Sequence, residues 1–164
     1  MTERFKKAYD ALVNAYFEGT LAKGSCLACA CGNIIAAAAG IEFTEDDIFS
    51  RGENSLELYG EVSRLWAEFR TLHNNIFVAK EGFENQMNAA GYTVEEFAKI
   101  ENAFECTSKI SFHEYTINSE QKILEDQYNG LCAVVDVLLA LDEDKSSGEE
   151  YKAKFRQHPK LQTA

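Results

Sequence analysis

Ser119-Glu-Gln-Lys-Ile-Leu-Glu-Asp-Gln-Tyr-Asn-Gly-Leu-Cys-Ala-Val-Val-Asp-Val-Leu-Leu-Ala-Leu141 decides the fold class. Ile123, Leu124, Tyr128, Leu131, Val134, Val135 and Leu138 recur at three- and four-residue spacing and share one broad face, as in a long amphipathic helix. Ser119 stands where a hydroxyl cap is needed. Glu125, Asn129, Cys132 and Asp136 fall on the opposite stripe, which makes Asp136 a polar-face residue despite its apolar neighbours. Covered by another helix or a second subunit, that stripe would become a buried polar network.

The same period recurs upstream. Residues 3–18 put Phe5, Tyr9, Leu12, Tyr16 and Phe17 on one face, and Gly19 ends the element. Ser25 is a candidate cap for a helix over 26–39, closed by Gly40. Thr44 with Asp47 has capping-box form for a helix stopped at Gly52. Ser55 opens a helix to about Leu72 through Leu58, Val62, Leu65, Trp66 and Phe69, and a short one over 83–90 ends at Gly91. Thr93 with Glu96 then caps a helix to about Lys109.

Residues 75–80 and 110–117 alternate β-branched and aromatic residues in part, which predicts a small two-stranded ribbon. The expectation is an all-α, single-domain bundle of about five to six helices over 1–141, with room for that minor ribbon. Residues 142–164 read as a charged tail, partly mobile or docked as a short helix through Tyr151 and Phe155.

A chain of 164 residues, 46% hydrophobic and 26% charged, suits one globular domain and excludes a disordered polypeptide. The net charge of −11 repels phosphate backbones and anionic lipid, so neither nucleic acid nor membrane is an expected partner. The most apolar run, 26–41, is interrupted by Gly32 and Asn33 and is shorter than the ~20 residues a membrane span needs. No apolar run follows the basic start, and the cysteine count is odd at five, so a cytoplasmic protein with reduced thiols is expected.

Cys26, Cys29 and Cys31 resemble a metal-binding run, but helical geometry sets Cys31 across from the Cys26–Cys29 face. A four-thiolate site would need Cys26 and Cys29 to meet Cys106 and Cys132 from other helices. Asn33 shares the Cys26–Cys29 face, and an amide in so apolar a helix must be hydrogen-bonded if buried. Small residues around it invite a close neighbour, and Gly130 and Ala133 nominate the last helix. Lys23-Gly24-Ser25 before the helix has the elements of an anion site. His73, His113 and His158 are scattered outside metal-ligand spacing, and no nucleophile elbow or dinucleotide glycine pattern occurs.

Two segments, Thr20-Leu-Ala-Lys-Gly-Ser-Cys-Leu-Ala-Cys-Ala-Cys-Gly-Asn33 and Ser119 to Val135, resemble a family of small bacterial and phage proteins with no assigned activity. The resemblance implies that the cysteine–asparagine helix and the last helix belong together.

The residues favour a non-catalytic intracellular binding protein, needing no cofactor. It would hold a small, nucleotide-like anionic ligand or a protein partner near Lys23, Ser25, Cys29, Asn33, Asn129 and Asp136. A thiolate metal or redox protein and an enzyme of unknown class are the alternatives. The small-residue helix and the polar stripe suit a homodimer interface and a monomer interior equally.

Overall fold

The computed structural model describes residues 1–24, 28–40, 42, 44, 45 and 89–161. Five α-helices stand complete among them, with no strand: α1 (Glu3–Glu18), α2 (Ala30–Ala39), α3 (Val94–Thr107), α4 (Glu120–Leu141) and α5 (Glu149–Phe155). The fold is an all-α bundle. The elements expected over 46–52, 55–72 and 75–80 lie outside the described residues. Of the helix expected over 83–90, only helical Ala89 and Ala90 are described, ahead of Gly91 at φ 86°.

Local chemistry sets most of the boundaries. The Thr2 hydroxyl accepts the Phe5 N–H to start α1, and Gly19 turns left-handed (φ 79°) to end it. Thr93 and Glu96 form the reciprocal capping box at α3, and Ser119 caps α4 through the Lys122 N–H. In each helix the apolar stripe then faces the core. Leu12 and Tyr16 of α1, Phe97, Ile100 and Phe104 of α3, and Leu131, Val134, Val135 and Leu138 of α4 are all buried.

α4 packs chiefly on α3, while α2 packs on α1 and α3. Gly130 makes the α3–α4 approach possible: a Cβ there would lie 2.2 Å from Ser108 Oγ and 2.8 Å from Phe104. The small-residue patch of the last helix therefore meets α3, where the sequence had nominated it as the neighbour of the cysteine–asparagine helix. Arg4 ties three helix ends together. Its guanidinium bonds Glu96 (3.0 Å), Asp142 (2.7 Å) and the Gly91 and Leu141 carbonyls, and it lies over the Tyr92 ring.

Two sequence expectations change. Residues 112–117 form a 3-10 helix rather than a strand (Phe112–Ile117). The N–H groups that a ladder would use are taken by distant parts of the chain: Asp126 accepts from Lys109 (2.7 Å) and Ile110 (2.9 Å), and the Lys23 carbonyl accepts from Phe112 (2.9 Å). The helix expected over 26–39 begins only at Ala30, because Ala28 lies in a turn and Cys29 is the N-cap, its sulfur accepting the Gly32 N–H at 3.2 Å.

After a turn through left-handed Gly148, α5 runs back along α4 in antiparallel order. Lys152 pairs with Asp136 (2.8 Å), Arg156 with Glu125 (2.7 Å) and Lys160 with Glu120 (3.5 Å). The other side of this segment enters the core. Phe155 is fully buried against Tyr9 and the edge of Tyr16, and the His158 ring packs on Tyr16 and Phe17.

Candidate functional site

The residues nominated from sequence are dispersed. The Lys23 ammonium reaches the Glu105 and Ser108 carbonyls, both at 2.5 Å, where it caps the negative end of α3. Asn33 is buried, and its amide nitrogen clips the carbonyls of Thr20 (3.0 Å), Ala28 (3.0 Å) and Cys29 (3.1 Å), which fixes the loop that leads into α2. Cys29 is the α2 cap. On α4, Asn129 is exposed and Asp136 is paired with Lys152 on the α5 side. Ser25 and Cys26 lie outside the described residues.

The remaining thiols do not converge either. Cys31 is buried with its sulfur on the Phe97 carbonyl (3.4 Å), and burial pushes its thiol well above the ordinary range. Cys106 is exposed on α3 and Cys132 is half-buried on α4. Among the described residues, no three His, Cys, Asp or Glu side chains come together in a metal-holding group.

Among the described residues, cavities open between the helices: one of about 410 Å³ lies where Ala89 and Ala90 meet α1 and α2, and two others bear on the site. The larger, of about 740 Å³, is a groove between α1 and α2 whose described floor is Ala11, Ala15, Ala36 and Ala37, with Asn14, Glu18, Asn33 and Glu42 around it. Asn33 offers it no donor, since both amide protons are already engaged with carbonyls. The smaller, of about 470 Å³, lies where the end of α1, the 3-10 helix, the first turns of α4 and the C-terminal segment meet.

The smaller cavity has the features of a ligand site, apolar walls with a few fixed polar groups. Tyr16, Phe17, Leu21, Tyr115, Ile123 and Leu124 form the walls. Gln127 is only 6% exposed, and its nitrogen donates to the Leu21 carbonyl (2.7 Å) and to the Tyr115 hydroxyl (2.8 Å). Because the Leu21 carbonyl only accepts, the amide nitrogen must face it. Burial pushes the Tyr115 phenol up to about 12, partly offset by hydrogen bonds from Gln127 and the Lys23 backbone.

His158 closes one side, with Nε2 at 2.9 Å from the Tyr16 carbonyl and Nδ1 accepting the Lys160 N–H at 3.1 Å. Both ring nitrogens are thus engaged with backbone, as in a neutral Nε2–H imidazole. Glu18, Glu45, Thr116, Asn118, Glu120 and Lys160 also line the cavity.

Sequence reasoning missed Gln127 and His158, although both carried a signal. Gln127 lies three residues after Leu124 and four before Leu131, inside the apolar stripe. His158 continues the Tyr151–Phe155 spacing of four and then three. No family model, curated protein or solved structure matches the chain.

Proposed function

We propose that this protein is a non-catalytic helical binding protein that holds a small molecule in the 470 Å³ cavity between α1, the 3-10 helix, α4 and the C-terminal segment. Gln127 carries the reading: it is a buried amide, oriented by two hydrogen bonds, in an otherwise aromatic and aliphatic wall. A polar group in such a place costs stability unless it is satisfied, and a fixed one orients a bound molecule. The non-catalytic part rests on His158, the one imidazole in the described lining, whose two nitrogens are both engaged with backbone. No comparable observation favours a thiolate metal centre, because Cys29, Cys106 and Cys132 serve three separate elements.

The test is extraction of small molecules from the denatured, freshly purified protein, alongside thermal-shift screening of a chemically diverse panel. A molecule that co-purifies or stabilises the protein, and is lost in the cavity-filling variant Ile123→Trp, is the expected result. Empty extracts together with no compound that raises Tm would overturn the reading.

A further inference from the structure

The cavity also restricts what it can hold, through the hydrogen-bonding capacity its walls have left. Both N–H donors of Gln127 are engaged, and its carbonyl oxygen has no hydrogen-bond partner among the described residues. The Tyr16 hydroxyl donates to the Leu124 carbonyl at 2.8 Å, and His158 donates through Nε2 to Tyr16. Of Gln127, Tyr16 and His158, the group left open to a ligand is the Gln127 oxygen, an acceptor.

Charge points the same way. Glu18, Glu45 and Glu120 line the cavity, and its one described cation, Lys160, is already paired with Glu120. Glu45 is held close, its carboxylate 3.1 Å from where a Cβ on Gly19 would stand. Tyr16, Phe17 and Tyr115 line the cavity with aromatic surface, the kind of wall that attracts a cation and shields it from water, and the Phe17 ring already carries the Lys154 ammonium at 5.7 Å.

Resting on the binding reading above, we infer that the ligand is a small organic cation, an ammonium carried on an apolar or aromatic body. Its N–H groups meet the Gln127 oxygen and the glutamates, and its body lies against the aromatic wall. This chemistry is opposite to the anion expected from Lys23-Gly24-Ser25, where the lysine is committed to the end of α3.

Three probes of one shape and different charge test the inference on the full chain: phenethylammonium, 2-phenylethanol and phenylacetate, followed by calorimetry and by amide NMR. The expected result is saturable binding of phenethylammonium that shifts the Gln127 side-chain amide, with the alcohol about tenfold weaker and the carboxylate weaker still. Glu18→Gln, on the exposed rim, should weaken the ammonium several-fold without affecting Tm. Gln127→Met should weaken it by about tenfold or more.

Equal or tighter binding of the alcohol or carboxylate at the same amide would overturn the cation inference and leave the cavity reading intact. Non-saturating shifts confined to surface glutamates would overturn it too. If no probe moves the Gln127 or Tyr115 signals and the extracts are empty, the inference and the cavity reading fall together.

Discussion

The loop from Thr20 to Asn33 and the segment from Asp142 to Leu161 exchange the roles that their compositions suggest. The loop has a lysine, a hydroxyl, thiols and an amide ahead of an apolar helix, which looks like a place for binding. Its described polar groups are turned inward. Lys23 caps α3, Asn33 holds three carbonyls and the Cys29 sulfur caps α2. The C-terminal segment looks like a solvated tail, yet it contributes Phe155, His158 and Leu161 to the buried interior and two residues to the candidate cavity. A polar group near apolar sequence is commonly there to satisfy backbone, and a charged stretch can carry a core face on its other side.

Phe155→Ala gives the largest effect if that comparison holds. The ring is fully buried among Tyr9 and Tyr16, so about 3–5 kcal/mol of stability should be lost in urea unfolding. A loss below about 1 kcal/mol, the scale of a surface change, would return the segment to the status of a tail. Asn33→Ala comes next, at about 2–3 kcal/mol, since the Thr20, Ala28 and Cys29 carbonyls lose donors in a buried place. A near-neutral result would mean that the loop does not need its clip.

Alkaline pH gives a smaller change, because solvent reaches part of each phenol concerned. Burial raises Tyr9 and Tyr115 to about 12, whereas unfolded tyrosine ionises near pH 10. Below pH 10 the contribution is fully present. Between about pH 10 and 12 the unfolded chain releases protons that the folded one retains, and stability falls. Absorbance titration of the phenolates beside unfolding curves checks this, and tyrosines that all ionise near 10 in the folded protein would refute it.

The smallest effect belongs to the ion pairs along α4. Lys152→Met and Arg156→Met should each cost about 0.2–1 kcal/mol, less at high salt, because most of these side chains meet water. Arg156 should be the costlier of the two, since its guanidinium also lies 3.6 Å from the Tyr128 ring centre.

Much of the fold was legible in the sequence. α1 runs over the expected residues, the Thr93–Glu96 box forms, and Ser119 opens a helix that ends at Leu141, because local caps and a strong 3.6 period agree at those places. The start of α2 was not legible, since a cysteine sulfur does the capping where a serine was expected. Residues 110–117 misled because β-branched spacing says nothing of the remote Asp126 carboxylate and Lys23 carbonyl that take the backbone N–H groups.

The candidate site was less legible than the fold. Its members come from four separated parts of the chain, and their positions in the stripe become meaningful only once the helices are packed.

The burial of Phe155 and His158 on α1 has a kinetic side. Tyr9 bonds the Tyr151 carbonyl and His158 bonds the Tyr16 carbonyl, each across 142 positions of chain. Such closures raise contact order and slow folding, because a long loop must be ordered before its contacts are gained. During synthesis the aromatic face of α1 emerges well before the segment that carries Phe155 and His158. Until Phe155 arrives that face is a sticky surface, the sort that chaperones hold and that drives aggregation of folding intermediates.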